Sequence, residues 1–261
     1  MITRTILSDV IALARDAAAA TLEFYHPDTP VWTKDDHSPL TLADQASHAC
    51  IVQGLQHIDQ ETPVISEEGE HPSYDERRDW SRFWLVDPLD GTKEFLKGNG
   101  EFTVNMALIE EGRPALAVIL APASGRCYYA ADGQGVWRQD GTSDPVPIRV
   151  SGATATGPLA VVESRSHPSA ALERYLEPLH VIRRLPAGSS LKFCLVAEGT
   201  ADVYPRLGPT MEWDVAAGHG IAAMAGATVQ GLTYNGPQLR NGPFVVGPSG
   251  LPRPADLAEV G

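Results

Sequence analysis

The sequence predicts an α/β fold of the α+β kind, built as one large domain or as two tightly joined halves. Apolar residues recur at helical spacing over residues 4–25, and β-leaning runs separated by turn residues follow over residues 83–138. Beyond residue 158, short strand-like runs alternate with helical ones. With 261 residues, of which 43% are hydrophobic, the chain is long and apolar enough to bury a substantial core.

The first elements are two predicted helices and a short strand. The first helix covers residues 4–25 and ends before Pro27. The second begins at Thr41, which we interpret as its N-cap, with Asp44 as the third-position acid of a capping-box-like arrangement. On the local pattern alone, Asp44 is a helix cap without a further role. Residues 63–66 then predict a short strand.

An antiparallel sheet is predicted to follow a polar loop at residues 71–82. The turn from Glu110 to Arg113 joins two of its strands into a hairpin, and Asp132 with Gly133 forms a further turn. The predicted strands are residues 83–86, 102–110, 114–120, 126–130 and 135–138.

A segment rich in Gly, Pro, Ser and Thr, residues 140–158, predicts the boundary between two halves, residues 1–150 and residues 151–261. In the second half a last helix starts at Trp213, and its small residues permit close packing. The other predicted elements of this half are strands at 159–162, 181–184 and 201–204 and helices at 169–179 and 188–198.

The net charge of −13 argues against a nucleic-acid polymer or an anionic membrane as partner, because either would require a basic surface. A small phosphorylated substrate stays compatible with this charge, since bound metal ions can reverse the local sign. We therefore expect a small-molecule ligand and a dependence on metal.

The cysteines predict no disulfide partner, because Cys50, Cys127 and Cys194 are odd in number and widely spaced. Charged residues such as Asp9 and Arg15 interrupt the apolar residues of the N-terminus, so we expect no signal peptide. Together these features predict a cytoplasmic protein; association with the inner face of the cell membrane is left open.

One stretch carries the strongest chemical signal: Asp87-Pro88-Leu89-Asp90-Gly91-Thr92 follows the predicted strand 83–86. Pro88 fixes its own φ, so a turn beyond the strand end can bring both carboxylates to one point. A helix starting at Gly91 and Thr92 would aim free backbone N–H groups at an anion. Magnesium-assisted phosphoryl chemistry fits this pattern. A plain turn fits it equally well, because Asp and Gly suit turns without any function.

Two further acids lie at element boundaries. Glu67 follows the strand 63–66, where the local pattern favours an exposed loop over a metal ligand. Asp214 lies in the first turn of the last helix, where the helix dipole favours an acid and no catalytic role is needed. The sequence contains no His-rich or Cys-rich ligand set, which argues against zinc.

Taken together, these motifs resemble the signature of the inositol monophosphatase superfamily of lithium-sensitive, Mg²⁺-dependent phosphatases. The resemblance rests on Glu67-Glu68, on Asp87 to Thr92 and on Trp213-Asp214, in this order. It extends from the first helix to about residue 230. Further stretches resemble the bacterial 3'(2'),5'-bisphosphate nucleotidases of the CysQ type, namely Asp90 to Phe95, Gly100 to Asn105, Ser164 to His167 and Gly188 to Tyr204.

The resemblance implies a layered αβαβα sandwich of the inositol monophosphatase and sugar phosphatase type, with the site between the two halves. It implies two or three Mg²⁺ ions. One would be held by Glu67, Asp87 and the Leu89 carbonyl, and a second by Asp87, Asp90 and Asp214. Thr92, hydrogen-bonded to Asp44, would orient and help deprotonate the attacking water.

The resemblance also implies the substrate contacts. The Gly91 and Thr92 amides would receive the scissile phosphate, and Lys192 would supply positive charge to a 5'-phosphate. The residues implied to contact the substrate are Glu67, Leu89, Asp90, Gly91, Thr92, Ser164, His167, Gly188, Lys192 and Asp214.

The expected activity is hydrolysis of 3'-phosphoadenosine 5'-phosphate to AMP and phosphate, which clears a by-product of sulfate assimilation. An inositol-phosphate or sugar-phosphate phosphatase is the alternative, because the metal half of the site is shared. A third hypothesis is a phosphate-binding protein without catalysis. Such a protein would be expected to have lost one of the acids or Thr92, and all of them are present in this sequence. We expect a monomer or a homodimer.

Overall fold

The chain forms five stacked layers, in the order helix, sheet, helix, sheet, helix, within the residues that the computed structural model describes: 2–26, 39–165 and 170–254. Four apolar interfaces join these layers in sequence. The implied αβαβα sandwich is thereby confirmed.

The first layer contains two helices, α1 (Arg4–Leu22) and α2 (Pro39–Ile58), as the helical spacing predicts. Thr3 caps α1 by accepting a hydrogen bond from the Ile6 N–H at 3.2 Å. The predicted N-cap of the second helix is wrong, because α2 begins at Pro39 and Thr41 already lies inside it. Proline suits a first helical turn, where its missing N–H would have no partner in any case.

The second layer is a seven-stranded sheet whose strands lie side by side in chain order. The first strand is parallel to the second, and all others are antiparallel, so the predicted meander is confirmed. The strands are β1 (Val64–Ser66), β2 (Arg82–Asp90), β3 (Thr103–Glu110), β4 (Arg113–Ala121), β5 (Arg126–Ala131), β6 (Gly135–Asp140) and β7 (Val146–Pro147).

Alternate side chains of the central strands face opposite helix layers. On β3, Met106 packs towards α1 and α2, whereas Ala107 packs towards the third layer. The β3–β4 hairpin turns through Glu111 and Gly112, which both have positive φ (48° and 75°), as a two-residue turn of this twist requires.

Two predictions around β2 need correction. The segment before it contains a short helix, α3 (Tyr74–Arg77), where a loop was expected, because Ser73 and Glu76 form a capping box. The strand also does not end in a turn after Val86. Asp87 pairs with Asn105, and Asp90 pairs with Thr103. Between these two pairs β2 advances by three residues, whereas β3 advances by two.

This mismatch is a β-bulge, and Pro88 lies within it. Both acids therefore stay at the end of one continuous strand. Helix α4 (Thr92–Leu96) follows as predicted, and Gly91 precedes it with φ of 97°.

The third layer contains α6 (Leu191–Ala197) and α7 (Glu212–Met224). Helix α7 packs on the second face of the large sheet, as its small residues predict. A Cβ at Gly218 would lie 2.3 Å from Phe193 Cδ2, and one at Gly220 would lie 2.8 Å from Ala117 Cβ. Glycine at both positions thus permits α7 to approach α6 and β4 closely.

The fourth layer joins short strands from the C-terminal half, and α5 (Ala170–Leu176) covers its outer face as the fifth layer. The predicted strand at 201–204 is shifted to 204–206, and the strands beyond α7 were not predicted. The strands of this layer are the parallel pair β8 (Leu159–Ser164) and β9 (Val181–Ala187) and the antiparallel set β10 (Tyr204–Arg206), β14 (Phe244–Gly247) and β12 (Thr228–Gln230). A separate antiparallel pair consists of β11 (Thr210–Met211) and β13 (Arg240–Asn241).

The seven-stranded sheet ends at Pro147 and β8 begins at Leu159, so no described strand crosses residues 148–158. The division into residues 1–150 and 151–261 stays a prediction. Helix α7, from the second half, is packed on the sheet of the first. In the parts of the chain that the structure describes, no helix combines the length and apolar character needed to cross a bilayer.

Candidate active site

Three segments of the chain bring carboxylates to one point. Glu67 follows β1, Asp87 lies near the end of β2, and Asp214 lies in the first turn of α7. Because β1 and β2 are parallel neighbours, their carboxyl ends share one edge of the sheet. One oxygen from each of the three side chains lies within 4.8 Å of the others. Oxygen atoms so grouped can bind a hard cation such as Mg²⁺.

The pKa values of these acids reflect their crowding. Burial, followed by repulsion from Glu67 and Asp90, raises the pKa of Asp87 well above its usual range. Burial and repulsion from Asp214 raise the pKa of Glu67 to about 7, although the residue as a whole is exposed at the rim of the site. Burial and Asp90 raise the pKa of Asp214 as well. A bound cation would favour the ionised forms again.

Hydrogen bonds from the backbone orient two of these acids, the buried Asp87 and the half-buried Asp214. Asp87 accepts a hydrogen bond from the N–H of Leu89 at 3.1 Å, inside the bulge. Asp214 accepts hydrogen bonds from the N–H of Met211 at 3.0 Å and from the hydroxyl of Thr210. The helix-start role that the sequence predicts for Asp214 is therefore real, and the same residue also belongs to the acid cluster.

Leu89 and Asp90 occupy the end of β2. The side chain of Leu89 is buried against Ala43, Phe95 and Phe102, which fixes its backbone inside the bulge. Asp90 accepts a hydrogen bond from the Ser189 hydroxyl at 2.7 Å. Its charge contributes to the raised pKa of all three clustered acids.

Asp44 is a buried acid in the interior of α2, 5% exposed, rather than a helix cap. Its neighbour Ala43 packs against Leu89, and the charge of Asp44 contributes to the raised pKa of Asp87. Helix α2 also contacts α4, which begins at Thr92. The structure thus brings Asp44 to the acid cluster, a placement that its capping interpretation does not explain.

A cleft of about 250 Å³ opens beside the acids, between the end of β2 and the C-terminal layers. It contains predicted residues from both halves. His167 lies outside the described residues. The lining residues predicted from sequence are Asp90, Gly91, Thr92, Ser164, Gly188, Lys192 and Asp214.

Gly188 and Lys192 have clear local partners. A Cβ at Gly188 would lie 2.6 Å from Glu94 Cγ and 2.8 Å from the Glu101 carbonyl oxygen, so no side chain fits there. The Gly188 N–H donates a hydrogen bond to the side-chain carboxylate of Glu101 at 2.8 Å. Lys192 is buried, donates from Nζ to the Ser189 carbonyl oxygen, and lies 5.5 Å from the centre of the Tyr204 ring.

The cleft lining also contains residues that were not predicted from sequence, among them Ser189, Tyr204 and Arg206. Burial lowers the pKa of Arg206, but Tyr204, Asp214 and Asp90 outweigh this effect and raise it. The signal available was the Tyr204-Pro205-Arg206 run at the end of a strand, which the predicted strand boundary at residue 204 cut short.

Comparisons with known proteins agree with this architecture. The model of the inositol monophosphatase family matches residues 4–259. The 3'(2'),5'-bisphosphate nucleotidase CysQ of Escherichia coli (strain K12) is 49% identical over 226 residues, covering 85% of this chain and 89% of that protein.

Among solved structures, CysQ from Bacteroides thetaiotaomicron, a bacterial member of the family, superposes with a TM-score of 0.83 at 40% identity, covering 94% of this chain and 97% of that one. An inositol monophosphatase from Zymomonas mobilis shares the fold, with a TM-score of 0.75 at 22% identity, covering 97% of this chain and 96% of that one.

Proposed function

Because the chain belongs to the inositol monophosphatase family, we propose that it is a Mg²⁺-dependent 3'(2'),5'-bisphosphate nucleotidase. It would hydrolyse 3'-phosphoadenosine 5'-phosphate to AMP and phosphate in the cytoplasm, as a by-product clearance step of sulfate assimilation. The observation that supports this best is that an all-carboxylate cluster lies directly beside a cleft whose lining includes the cations Lys192 and Arg206.

The residues present fit magnesium. Every donor in the cluster is an oxygen, and two of the three acids are held by backbone N–H groups in orientations that keep them together. One ion would be held by Glu67, Asp87 and the Leu89 carbonyl, and a second by Asp87, Asp90 and Asp214. The family resemblance implies two or three ions in total. When bound, Mg²⁺ supplies neutralising charge and Lewis-acid activation.

The proton-handling residues would be Thr92 and Asp44. The Thr92 hydroxyl would accept a hydrogen bond from the attacking water and thereby fix its position. The buried Asp44 carboxylate would orient that hydroxyl and take up the proton. The backbone N–H groups of Gly91 and Thr92 would donate to the scissile phosphate as negative charge moves to the leaving oxygen.

The opposite wall of the cleft would bind the nucleotide. Ser164, Gly188 and Lys192 lie there, and the Lys192 ammonium would bind the 5'-phosphate by a charge-assisted hydrogen bond. The ammonium donates one of its three hydrogen bonds to the Ser189 carbonyl oxygen, and its other N–H groups would donate to the phosphate. His167 stays a sequence-based prediction of a further contact.

Turnover of a substrate panel tests the proposal. With Mg²⁺, we expect hydrolysis of 3'-phosphoadenosine 5'-phosphate at a kcat/KM at least about tenfold above that of inositol 1-phosphate, since the latter lacks the second phosphate. Chelation should abolish both activities, and Li⁺ should inhibit by analogy with the family. A preference for inositol 1-phosphate would indicate the alternative function, and full turnover in chelator would contradict the metal site.

A further inference from the structure

Ser189 has a backbone conformation that serine rarely adopts. Its φ is 53°, in the left-handed region, and it lies in the connection between β9 and α6, on the wall of the cleft. A non-glycine residue persists in this region only where its surroundings hold it there. By contrast, Glu111, which also has positive φ, lies in an exposed hairpin turn where such values are normal.

The contacts of Ser189 reach both sides of the site. Its hydroxyl donates to Asp90 Oδ2 at 2.7 Å, and its carbonyl oxygen accepts a hydrogen bond from Lys192 Nζ at 2.5 Å. Asp90 is a proposed metal ligand, and Lys192 is a proposed phosphate ligand. One strained residue therefore contacts a member of each set.

A buried polar cluster lies behind Ser189. Thr103 Oγ1 is 2.6 Å from Ser189 Oγ and 2.7 Å from Ser190 Oγ. Both Thr103 and Ser190 lie within 2.9 Å of the Asn105 side-chain amide. Thr103, Asn105 and Ser190 are each 2% exposed or less. Thr103 and Asn105 belong to β3, whereas the two serines belong to the C-terminal half.

The number of available protons fixes the direction of each hydrogen bond in this cluster. The single proton of Ser189 goes to Asp90, so Ser189 Oγ must accept the proton of Thr103. With the Asn105 amide oxygen turned to the hydroxyls, its buried Nδ2 donor has no acceptor. The opposite amide orientation lets Nδ2 donate to Thr103 and Ser190. Every donor then has an acceptor, and the bonds run in one direction, from Asn105 through Thr103 and Ser189 to Asp90.

We propose that Ser189 is a positioning residue that holds the Asp90 carboxylate for metal binding and links it to the Lys192 ammonium. The proposal rests on the proposed function for the roles of Asp90 and Lys192. Loss of a hydrogen-bond partner of a metal ligand typically costs 10–100-fold in metal affinity. Loss of the Ser189 hydroxyl should therefore weaken Mg²⁺ binding even without substrate.

The test compares Ser189→Ala with Ser189→Gly. Both remove the hydroxyl, but glycine adopts a φ of 53° without strain, whereas alanine keeps the Cβ and the strain. Ser124→Ala is the control, because it removes a hydroxyl from a turn at the end of β4. Mg²⁺ affinity is measured by titration calorimetry and by the shift of the thermal midpoint with Mg²⁺ concentration, both without substrate.

We expect both Ser189 variants to bind Mg²⁺ about tenfold or more weakly, with equal losses, while the control binds normally. Thr103→Val keeps the shape of the side chain and should also weaken Mg²⁺ binding, but by less than the Ser189 variants do. Normal Mg²⁺ affinity in both Ser189 variants overturns the proposal, and so does a loss in alanine alone, since that identifies strain as the cause. These readouts use no substrate, so they stand if the nucleotide assignment fails.

Discussion

Two sides of the site differ in how their charged groups are held: the acid cluster beside the cleft (the metal wall) and the cleft lining that contains Lys192 and Arg206 (the nucleotide wall). On the metal wall, Glu67, Asp87 and Asp214 converge, and burial and mutual repulsion raise the pKa of each. On the nucleotide wall, each of these two cations is oriented by a neutral backbone group: Lys192 donates to the Ser189 carbonyl, and Arg206 donates to the Pro209 carbonyl at 3.2 Å.

This difference suggests that the two ligands are bound in different ways. The metal wall has unbalanced charge until a cation binds, so the ligand should stabilise the fold itself. On the nucleotide wall, neutral carbonyl groups orient the two cations in the free protein, and each cation has further N–H donors for a substrate. We therefore expect damage to the metal wall to affect turnover and stability, and damage to the nucleotide wall to affect mainly KM.

The largest expected effect concerns Thr92 and Asp44. If Thr92 orients the water, Thr92→Ala should lower kcat by about 10²–10⁴-fold, the usual contribution of general acid–base groups. Metal affinity should survive, because Thr92 is not a proposed ligand. Steady-state kinetics with Mg²⁺ titration measures both. If Thr92 only starts the helix, Thr92→Ala should instead lower the free energy of unfolding by about 1 kcal/mol and leave turnover intact.

The double variant sharpens this prediction. Asp44→Asn should resemble Thr92→Ala, and the combination should be little worse than either alone, because residues that act as a unit are not additive. Multiplicative losses would show that the two act separately, and the placement of Asp44 inside α2 would then serve packing or metal binding.

A smaller effect is expected on the nucleotide wall. Lys192→Met keeps the aliphatic stem beside Tyr204 but removes the ammonium, so the KM for 3'-phosphoadenosine 5'-phosphate should rise by about 10–100-fold, as expected for a lost hydrogen bond to a charged group. Turnover of inositol 1-phosphate should change little, because that substrate has no 5'-phosphate. Equal losses on both substrates would assign Lys192 to the fold or the chemistry and erase the distinction between the walls.

The metal wall was more predictable from sequence than the nucleotide wall, for a physical reason. Glu67, Asp87 and Asp90 each end an apolar run, so local pattern places them at strand ends, and the family resemblance selects them over plain turns. Ser189 has no comparable local signal, and the Tyr204-Pro205-Arg206 run indicates a strand end but no ligand.

Arg206 is positioned by β10, which pairs with Phe244–Gly247, about 40 residues further along the chain. Such pairing cannot be read from periodicity, and the strands after α7 were missed. The bulge in β2 was missed likewise, because a proline between two acids also suits a turn.

The smallest expected effect is one of stability, and it tests the charge imbalance directly. Without metal, the folded state holds Asp87 with a raised pKa because of burial and the neighbouring acids. Such a carboxyl binds its proton more tightly in the folded than in the unfolded state. The stability it contributes is therefore present at low pH and is lost as pH rises through the folded-state pKa. For Glu67, this loss falls between its ordinary value of 4.5 and about 7.

Asp87→Asn removes one of the repelling charges, so in chelator at pH 7.5 it should be more stable than the wild type. A gain of about 1 kcal/mol would raise the thermal midpoint by roughly 2–4 °C. With excess Mg²⁺ the order should reverse, because the wild type gains binding energy that the variant has lost. Asp132→Asn, on the exposed Arg113 ion pair of a distant turn, is the control and should show no such reversal. If Asp87→Asn destabilised the protein equally with chelator and with Mg²⁺, Asp87 would serve the fold alone, and the metal wall, like the nucleotide wall, would need no ligand to stabilise it.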